Sequence, residues 1–212
     1  MKILVLTLGF DERFAIRNIL RTGLSTGDSV IVFIAKPIVE KTERALQILR
    51  DFIKRYYENI NLEVIAIPIE DFENAVSIIG EQLKRFKDSE GEIIFNLSGG
   101  MRGLIIELLL ASLLMELRGT VEVDFENLEG SISFPLEIFK VQIPMKKYRS
   151  VLKIIAESNG MNISQISNRL KIAKSSVHKI VKKLLAMKII EVEKKGREYI
   201  IRTKPIARLF IN

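Results

Sequence analysis

Apolar and polar positions alternate in two rhythms along this chain, and the change of rhythm divides it. The opening run Lys2-Ile3-Leu4-Val5-Leu6-Thr7 is continuous and apolar and stops at Gly9, the pattern of a short strand buried on both faces. Asp11 then predicts a capped helix to about residue 24, with Phe14, Ile16, Ile19 and Leu20 as its apolar stripe and Gly23 and Gly27 at its exit. The same alternation recurs. Strands are predicted at 29–35, 62–69, 92–97 and 121–125, and helices at 39–58, from Asp71 to about 87, and 102–117. Glu129-Gly130 predicts a hairpin from 121–126 into 131–134, closed by Pro135. Residues 138–143 read as a further strand or a connector, and Pro144-Met145 as a boundary.

Four βα units and a further strand imply a mostly parallel, Rossmann-like sheet with helices on both faces, because each parallel crossover returns the chain to the sheet's starting edge. From Lys147 the period becomes that of three short helices and a hairpin. Tyr148, Val151, Leu152, Ile154 and Ile155 share one helical face, ended at Asn159-Gly160. Asn162 or Ser164 can cap a short second helix carrying Ile166 and Leu170. A third helix begins near Ser175, with Val177, Ile180, Val181, Leu184 and Leu185 inward and Ser176, His178, Lys179, Lys182 and Lys183 outward or lateral. Two short strands joined through Lys194-Lys195-Gly196-Arg197 complete a winged helix-turn-helix of small α+β type. The predicted domains are thus 1–144 and 145–212.

Charge sharpens this division. The net +7 is uneven: residues 145–212 hold 17 Lys and Arg against 4 Asp and Glu, or +13, leaving 16 against 22, or −6, in the rest. A basic tail on an acidic body suits a polyanion partner for the tail alone, since neutralising phosphates releases counterions. Lys174, Ser175, Ser176, His178, Lys179, Lys182, Lys194, Lys195 and Arg197 are the candidate DNA contacts, with Lys179, Lys182, Lys194, Lys195 and Arg197 toward phosphate and Ser175, Ser176 and His178 nearest base edges. The absence of cysteine rules out disulfides and thiolate metal sites, and one histidine cannot build a multi-histidine centre. No metal and no cofactor is expected. The apolar stretch at 104–114 is broken by Glu107 and too short to span a membrane, so a soluble cytoplasmic protein is expected.

Candidate chemistry lies in two loops at the carboxyl ends of strands one and four, where open parallel sheets bind ligands. They read Thr7-Leu8-Gly9-Phe10-Asp11 and Asn96-Leu97-Ser98-Gly99-Gly100-Met101-Arg102. Paired glycines before a helix expose backbone N–H groups at its positive end, and Arg102 adds a planar donor fork, together an anion cradle. The plain alternative is a tight turn with Ser98 capping the helix and Arg102 solvated. Neither a Walker A loop nor Gly-x-Gly-x-x-Gly is present, and no general base is evident for phosphodiester chemistry.

These loops and the trailing winged helix together resemble the CRISPR-associated Rossmann-fold (CARF) transcription regulators of archaeal CRISPR systems, a likeness that spans the chain and is sharpest at Asn96-x-Ser98-Gly99-Gly100-x-Arg102. The resemblance implies a homodimer that binds a cyclic oligoadenylate, cyclic tetra-adenylate foremost, in a shared cleft, and double-stranded, palindromic CRISPR promoters through the winged helix. By position it implies ligand contacts from Thr7, Leu8, Gly9, Phe10, Asp11, Asn96, Ser98, Gly99, Gly100, Met101 and Arg102, with the ring as effector and no catalytic residue. A slow, metal-independent ring nuclease and a winged-helix docking adaptor stay open beside this reading.

Overall fold

The computed structural model describes residues 1–140, 146–158, 160–196 and 198–211. They form two compact units, 1–139 and 140–212. The expected boundary at Pro144 and Met145 lies outside the described residues.

The first unit alternates β1 (Lys2–Leu8), α1 (Arg13–Thr22), β2 (Ser29–Lys36), α2 (Glu40–Tyr56), β3 (Asn61–Pro68), α3 (Phe72–Leu83), β4 (Glu92–Asn96), α4 (Arg102–Leu114), β5 (Thr120–Asp124) and β6 (Ser131–Pro135). The sheet order is β3-β2-β1-β4-β5-β6, parallel throughout except for the β5–β6 hairpin. This is the Rossmann-like, doubly wound sheet, whose strand order reverses between β1 and β4.

Strand parity sorts the core. Ile3 and Val5 of β1, Ile31 and Phe33 of β2, and Ile93 and Phe95 of β4 pack on one side with Ile79 and Leu83 of α3 and Leu104 and Leu108 of α4. Leu4, Leu6 and Leu8, with Val30, Val32 and Ile94, pack on the other with Ile19 of α1 and Leu46 and Leu49 of α2. Both faces are therefore buried, which is why these strands read as unbroken apolar runs rather than alternating ones.

Several element ends differ from the sequence expectation, each for a local reason. Asp11 is not the cap residue of α1: Glu12 holds that position, while the Asp11 carboxylate accepts from the backbone N–H of Arg13 at 2.9 Å and from its guanidinium. The helix α3 ends at Leu83 and tightens into a 3-10 turn at Lys84–Phe86 instead of running to 87. The helix α4 stops at Leu114, before the positive φ of Glu116. Leu136–Lys140 is a 3-10 turn, not a strand; residues 141–143 lie outside the described ones.

The second unit holds α5 (Lys146–Glu157), α6 (Ile163–Leu170), α7 (Lys174–Ala186) and the antiparallel hairpin of β7 (Ile190–Lys195) and β8 (Glu198–Thr203). Asn162 caps α6 in a reciprocal box with Gln165: the Asn162 side chain accepts from the Gln165 N–H at 2.8 Å, and the Gln165 side chain accepts from the Asn162 N–H at 2.9 Å. Val177, Ile180, Val181 and Leu184 of α7 meet Val151, Leu152 and Ile155 of α5 in one core. Three helices followed by a hairpin make this a winged helix. Among the described residues no helix is long and apolar enough to cross a membrane.

Candidate ligand pocket and nucleic-acid interface

The two glycine loops meet because β1 and β4 are neighbours, with Leu6 in register with Asn96. Backbone packs on backbone there. A Cβ on Gly9 would lie 3.0 Å from the Gly100 Cα, one on Gly99 would lie 2.8 Å from the Thr7 carbonyl oxygen, and one on Gly100 would lie 2.9 Å from the Thr7 Cβ. Gly100 also has φ +88°, a conformation that costs glycine least. The Thr7 hydroxyl donates to the Gly99 carbonyl and so pins the second loop to the first strand.

This contact leaves an open pocket of about 430 Å³ lined by Gly9, Phe10, Gly100, Met101, Arg102 and Gly103. Phe10 and Met101 form its exposed apolar rim, 61% and 46% accessible, and Arg102 is exposed at its edge. The pocket sits at the start of α4. Met101, the residue before that helix, gives no side-chain cap, and the first turn contains no acidic residue, so the helix presents an uncompensated positive end.

The expected ligand residues fall into two layers. Gly9, Phe10, Gly100, Met101 and Arg102 line the pocket, joined by Gly103, which the sequence reading does not single out although the glycine directly follows Arg102. Thr7, Leu8 and Asn96 are buried beneath it, and Gly99 is buried too. Asp11 is held by Arg13 at 2.6 Å, and that guanidinium keeps its carboxyl below the usual carboxylate range.

Ser98 does not cap α4. Its hydroxyl donates to Asp124 Oδ2 at 3.0 Å and accepts from the Asp124 N–H at 2.7 Å. The Asn96 amide donates to the same Oδ2 at 3.2 Å, while Asn96 Oδ1 accepts from the Ser98 N–H at 3.3 Å. Arg21 of α1 holds Asp124 Oδ1 at 2.6 Å and Glu122 at 2.7 Å. Burial pushes the Asp124 carboxyl up, but the hydrogen bonds from Arg21, Asn96 and Ser98 and the charge of Arg21 outweigh it, leaving Asp124 below the usual range. Sequence reasoning missed Asp124, Glu122 and Arg21. The available signal was two acidic residues of like parity in an otherwise apolar strand.

On the second unit, Lys174, Ser175, His178, Lys179 and Lys182 of α7 and Lys194 and Lys195 of β7 are exposed, and Ser176 is half-buried. Arg197 lies outside the described residues. Among the described residues none of these lysines is ion-paired, although Arg202 pairs with Glu193 nearby. His178 and Lys182 lie on the flank of α7 that faces the hairpin, in a groove shared with Val181, Leu185, Val192 and Tyr199. Lys179 is exposed and is not among the residues lining that groove. Among the described residues no three acidic or histidine side chains converge on a metal-sized site.

A Rossmann-like sheet with a glycine cradle at its switch point, followed by a basic winged helix, defines the class of this protein. Residues 2–135 match the Csa3 CRISPR-associated Rossmann-like domain, and residues 149–197 match the MarR family. The chain belongs to the family of the Csa3 CRISPR-associated Rossmann-like domain. It is 29% identical over 188 residues to Csa3 of Saccharolobus solfataricus, a CRISPR locus-related candidate DNA-binding protein, covering 85% of this chain and 76% of that one. Among solved structures, Can2 from Sulfobacillus thermosulfidooxidans in complex with cyclic tetra-adenylate is 15% identical with a TM-score of 0.45, over 100% of this chain and 64% of its own. A MarR protein from Peptoclostridium difficile is 23% identical with a TM-score of 0.30, over 32% of this chain. This chain spans a little under half of that protein's length, 46%.

Proposed function

We propose that this protein is a CRISPR-associated transcription regulator that senses a cyclic oligoadenylate with its sheet unit and binds double-stranded promoter DNA with its winged helix. The observation that carries the reading is the pocket at the β1–β4 switch point, where two loops packed glycine to glycine hold Arg102 and a positive helix end at one opening. Phosphates suit the N–H groups and guanidinium, and adenine rings suit the apolar rim of Phe10 and Met101. The DNA arm rests on the exposed lysines of α7 and β7. The matched family and the DNA-binding name of the S. solfataricus relative agree with it. In this reading the ring is an effector and no cofactor is needed.

The active form is a homodimer. The helix α4 carries large apolar residues on its outward as well as its buried side, and Ile106 and Leu114 on its outward face are 57% and 60% exposed. A helix apolar on both sides is normally covered, and a second copy packed here brings two cradles to one two-fold axis, where a symmetric ring engages both.

A sensor fits this pocket better than a ring nuclease. The Thr7 and Ser98 hydroxyls are both committed to protein partners, and the lining residues include no carboxylate or histidine that could serve as a base. Labelled cyclic tetra-adenylate incubated with the protein should stay intact; conversion to linear product reinstates the enzyme.

The decisive test is calorimetry of wild type and Arg102→Ala with cyclic tetra-adenylate, paired with DNA titrations. Arg102→Ala should weaken ring binding by about tenfold to a hundredfold, the worth of a charge-assisted donor, and leave basal DNA affinity unchanged. The ring should change wild-type DNA affinity by about 5- to 150-fold. Equal ring affinity in the two proteins refutes the site, and ring binding with no change in DNA affinity refutes the coupling.

A further inference from the structure

The cradle takes its shape from a carboxylate that the pocket does not expose. Residues Asn96, Glu122 and Asp124 share strand parity, and Asn96 is in register with Glu122, so all three project to the side of the sheet covered by α1. The Asp124 side chain is 0% exposed. A carboxylate accepts about four hydrogen bonds, and Asp124 comes close to using all its capacity. Asn96 and Ser98 donate to Oδ2, Arg21 donates to Oδ1 at 2.6 Å, and the Arg17 Nε stands 3.6 Å from Oδ1.

These partners come from both sides of the cradle. Asn96 and Ser98 belong to the second loop, whose Gly100 lines the pocket. Arg17 and Arg21 belong to α1, which begins right after the first loop, Gly9 to Glu12. Through one residue, the helix leaving the first loop is joined to the Asn96 and Ser98 side chains of the second. The Ser98 hydroxyl both donates to and accepts from Asp124, so its rotor is fixed and the residue before Gly99 cannot swing toward the pocket.

We propose that Asp124 is the positioning residue of the anion cradle: by holding Ser98 and Asn96 on one side and Arg21 and Arg17 on the other, it sets the separation of the two glycine loops. It touches no ligand itself. This assignment rests on the reading of the pocket as a cyclic oligoadenylate site. It further implies that the α1–β5 ion pairs tune ligand affinity from outside the pocket.

The test uses the full chain and three variants. Asp124→Asn keeps the size of the side chain and one acceptor for Ser98 but loses the charge that pairs Arg21. Glu122→Gln removes the other Arg21 partner without touching Ser98. Val30→Ala, at a buried position of β2 away from the cradle, supplies the comparison for a general loss of core packing. Two quantities are read: amide hydrogen exchange over residues 96–103 without ligand, and calorimetric affinity for cyclic tetra-adenylate.

Asp124→Asn should speed exchange at Ser98, Gly99 and Gly100 and weaken ring binding by about tenfold or more, as expected when a buried hydrogen-bonded group loses its partner. Glu122→Gln should do less of both, and Val30→Ala neither. Unchanged local exchange in Asp124→Asn, or loosening and loss of affinity matched by Val30→Ala, overturns the positioning role. If wild type binds no ring, the exchange result still decides the role of Asp124, and the failure belongs to the ligand reading alone.

Discussion

Glu107 shows what a single residue can conceal. In the sequence it interrupts an apolar run and reads as the charge that keeps residues 104–114 from resembling a membrane span. In the fold it is 2% exposed on α4, and its Oε2 has no hydrogen-bond partner among the described residues. Burial alone raises its carboxyl above the usual glutamate value. The sign of the pH effect follows. At low pH Glu107 is protonated in folded and unfolded chains alike; as pH rises past the ordinary glutamate value, the unfolded chain releases its proton first, and the folded state loses stability. Glu107→Gln should therefore stabilise the sheet unit at pH 7 by about 1 kcal/mol, with the gain vanishing below about pH 4. Thermal unfolding at the two pH values checks this; an equal gain at both would show that ionisation is not the cause. Asp124, also buried, has the opposite sign because it is satisfied: its folded state is favoured above the usual carboxylate range and loses that support only in acid.

At the scale of elements, α7 carries the DNA reading. Its apolar period was legible directly, since Val177, Ile180, Val181 and Leu184 recur at helical spacing and are all buried, whereas Leu185, expected inward with them, is exposed at the edge of the hairpin groove. The finer division of its outer surface was not. Sequence spacing leaves His178, Lys179 and Lys182 together as outward or lateral, but the hairpin packs beside one flank and draws His178 and Lys182 toward Val192 and Tyr199. Lys179, which does not line that groove, is therefore the cleanest probe of phosphate contact. Lys179→Ala should weaken binding to all duplex sequences by similar factors and reduce the slope of log K against log salt by about 0.9, the share of one phosphate. Titration of specific and unrelated duplexes across a salt series measures both; a sequence-selective loss with an unchanged slope assigns Lys179 to base reading instead.

For the whole molecule, the proposal turns on a second copy. One chain holds one cradle, and a two-fold symmetric ring is matched by two. The outward face of α4 leaves Ile106 and Leu114 uncovered, so Ile106→Glu should convert the proposed dimer to a monomer without unfolding the unit, because the side chain is already solvent-exposed in the single chain. Sedimentation at micromolar concentration reads the mass, and circular dichroism the fold. A strictly monomeric wild type, with or without ring, would remove both the shared cleft and the paired half-sites.

The sequence by itself determined the elements, their order and the class of fold, because those follow from local periodicity: unbroken apolar runs for strands buried on both faces, helical spacing between them, and glycine where backbone meets backbone at Gly9, Gly99 and Gly100. It also located the two loops, since a parallel sheet of βα units places them at its carboxyl edge. Which side chains of those loops reach the pocket was decided only by tertiary structure. Asn96 and Ser98 look like ligand contacts in a linear motif, yet they turn down to Asp124, which follows Ser98 by 26 positions. That choice depends on the β4–β5 register and on the rotation of α1 that presents Arg21. Neither is encoded in the spacing of residues along one segment, because both are set when the separate segments pack and each buried polar group takes the partner its neighbours bring within reach.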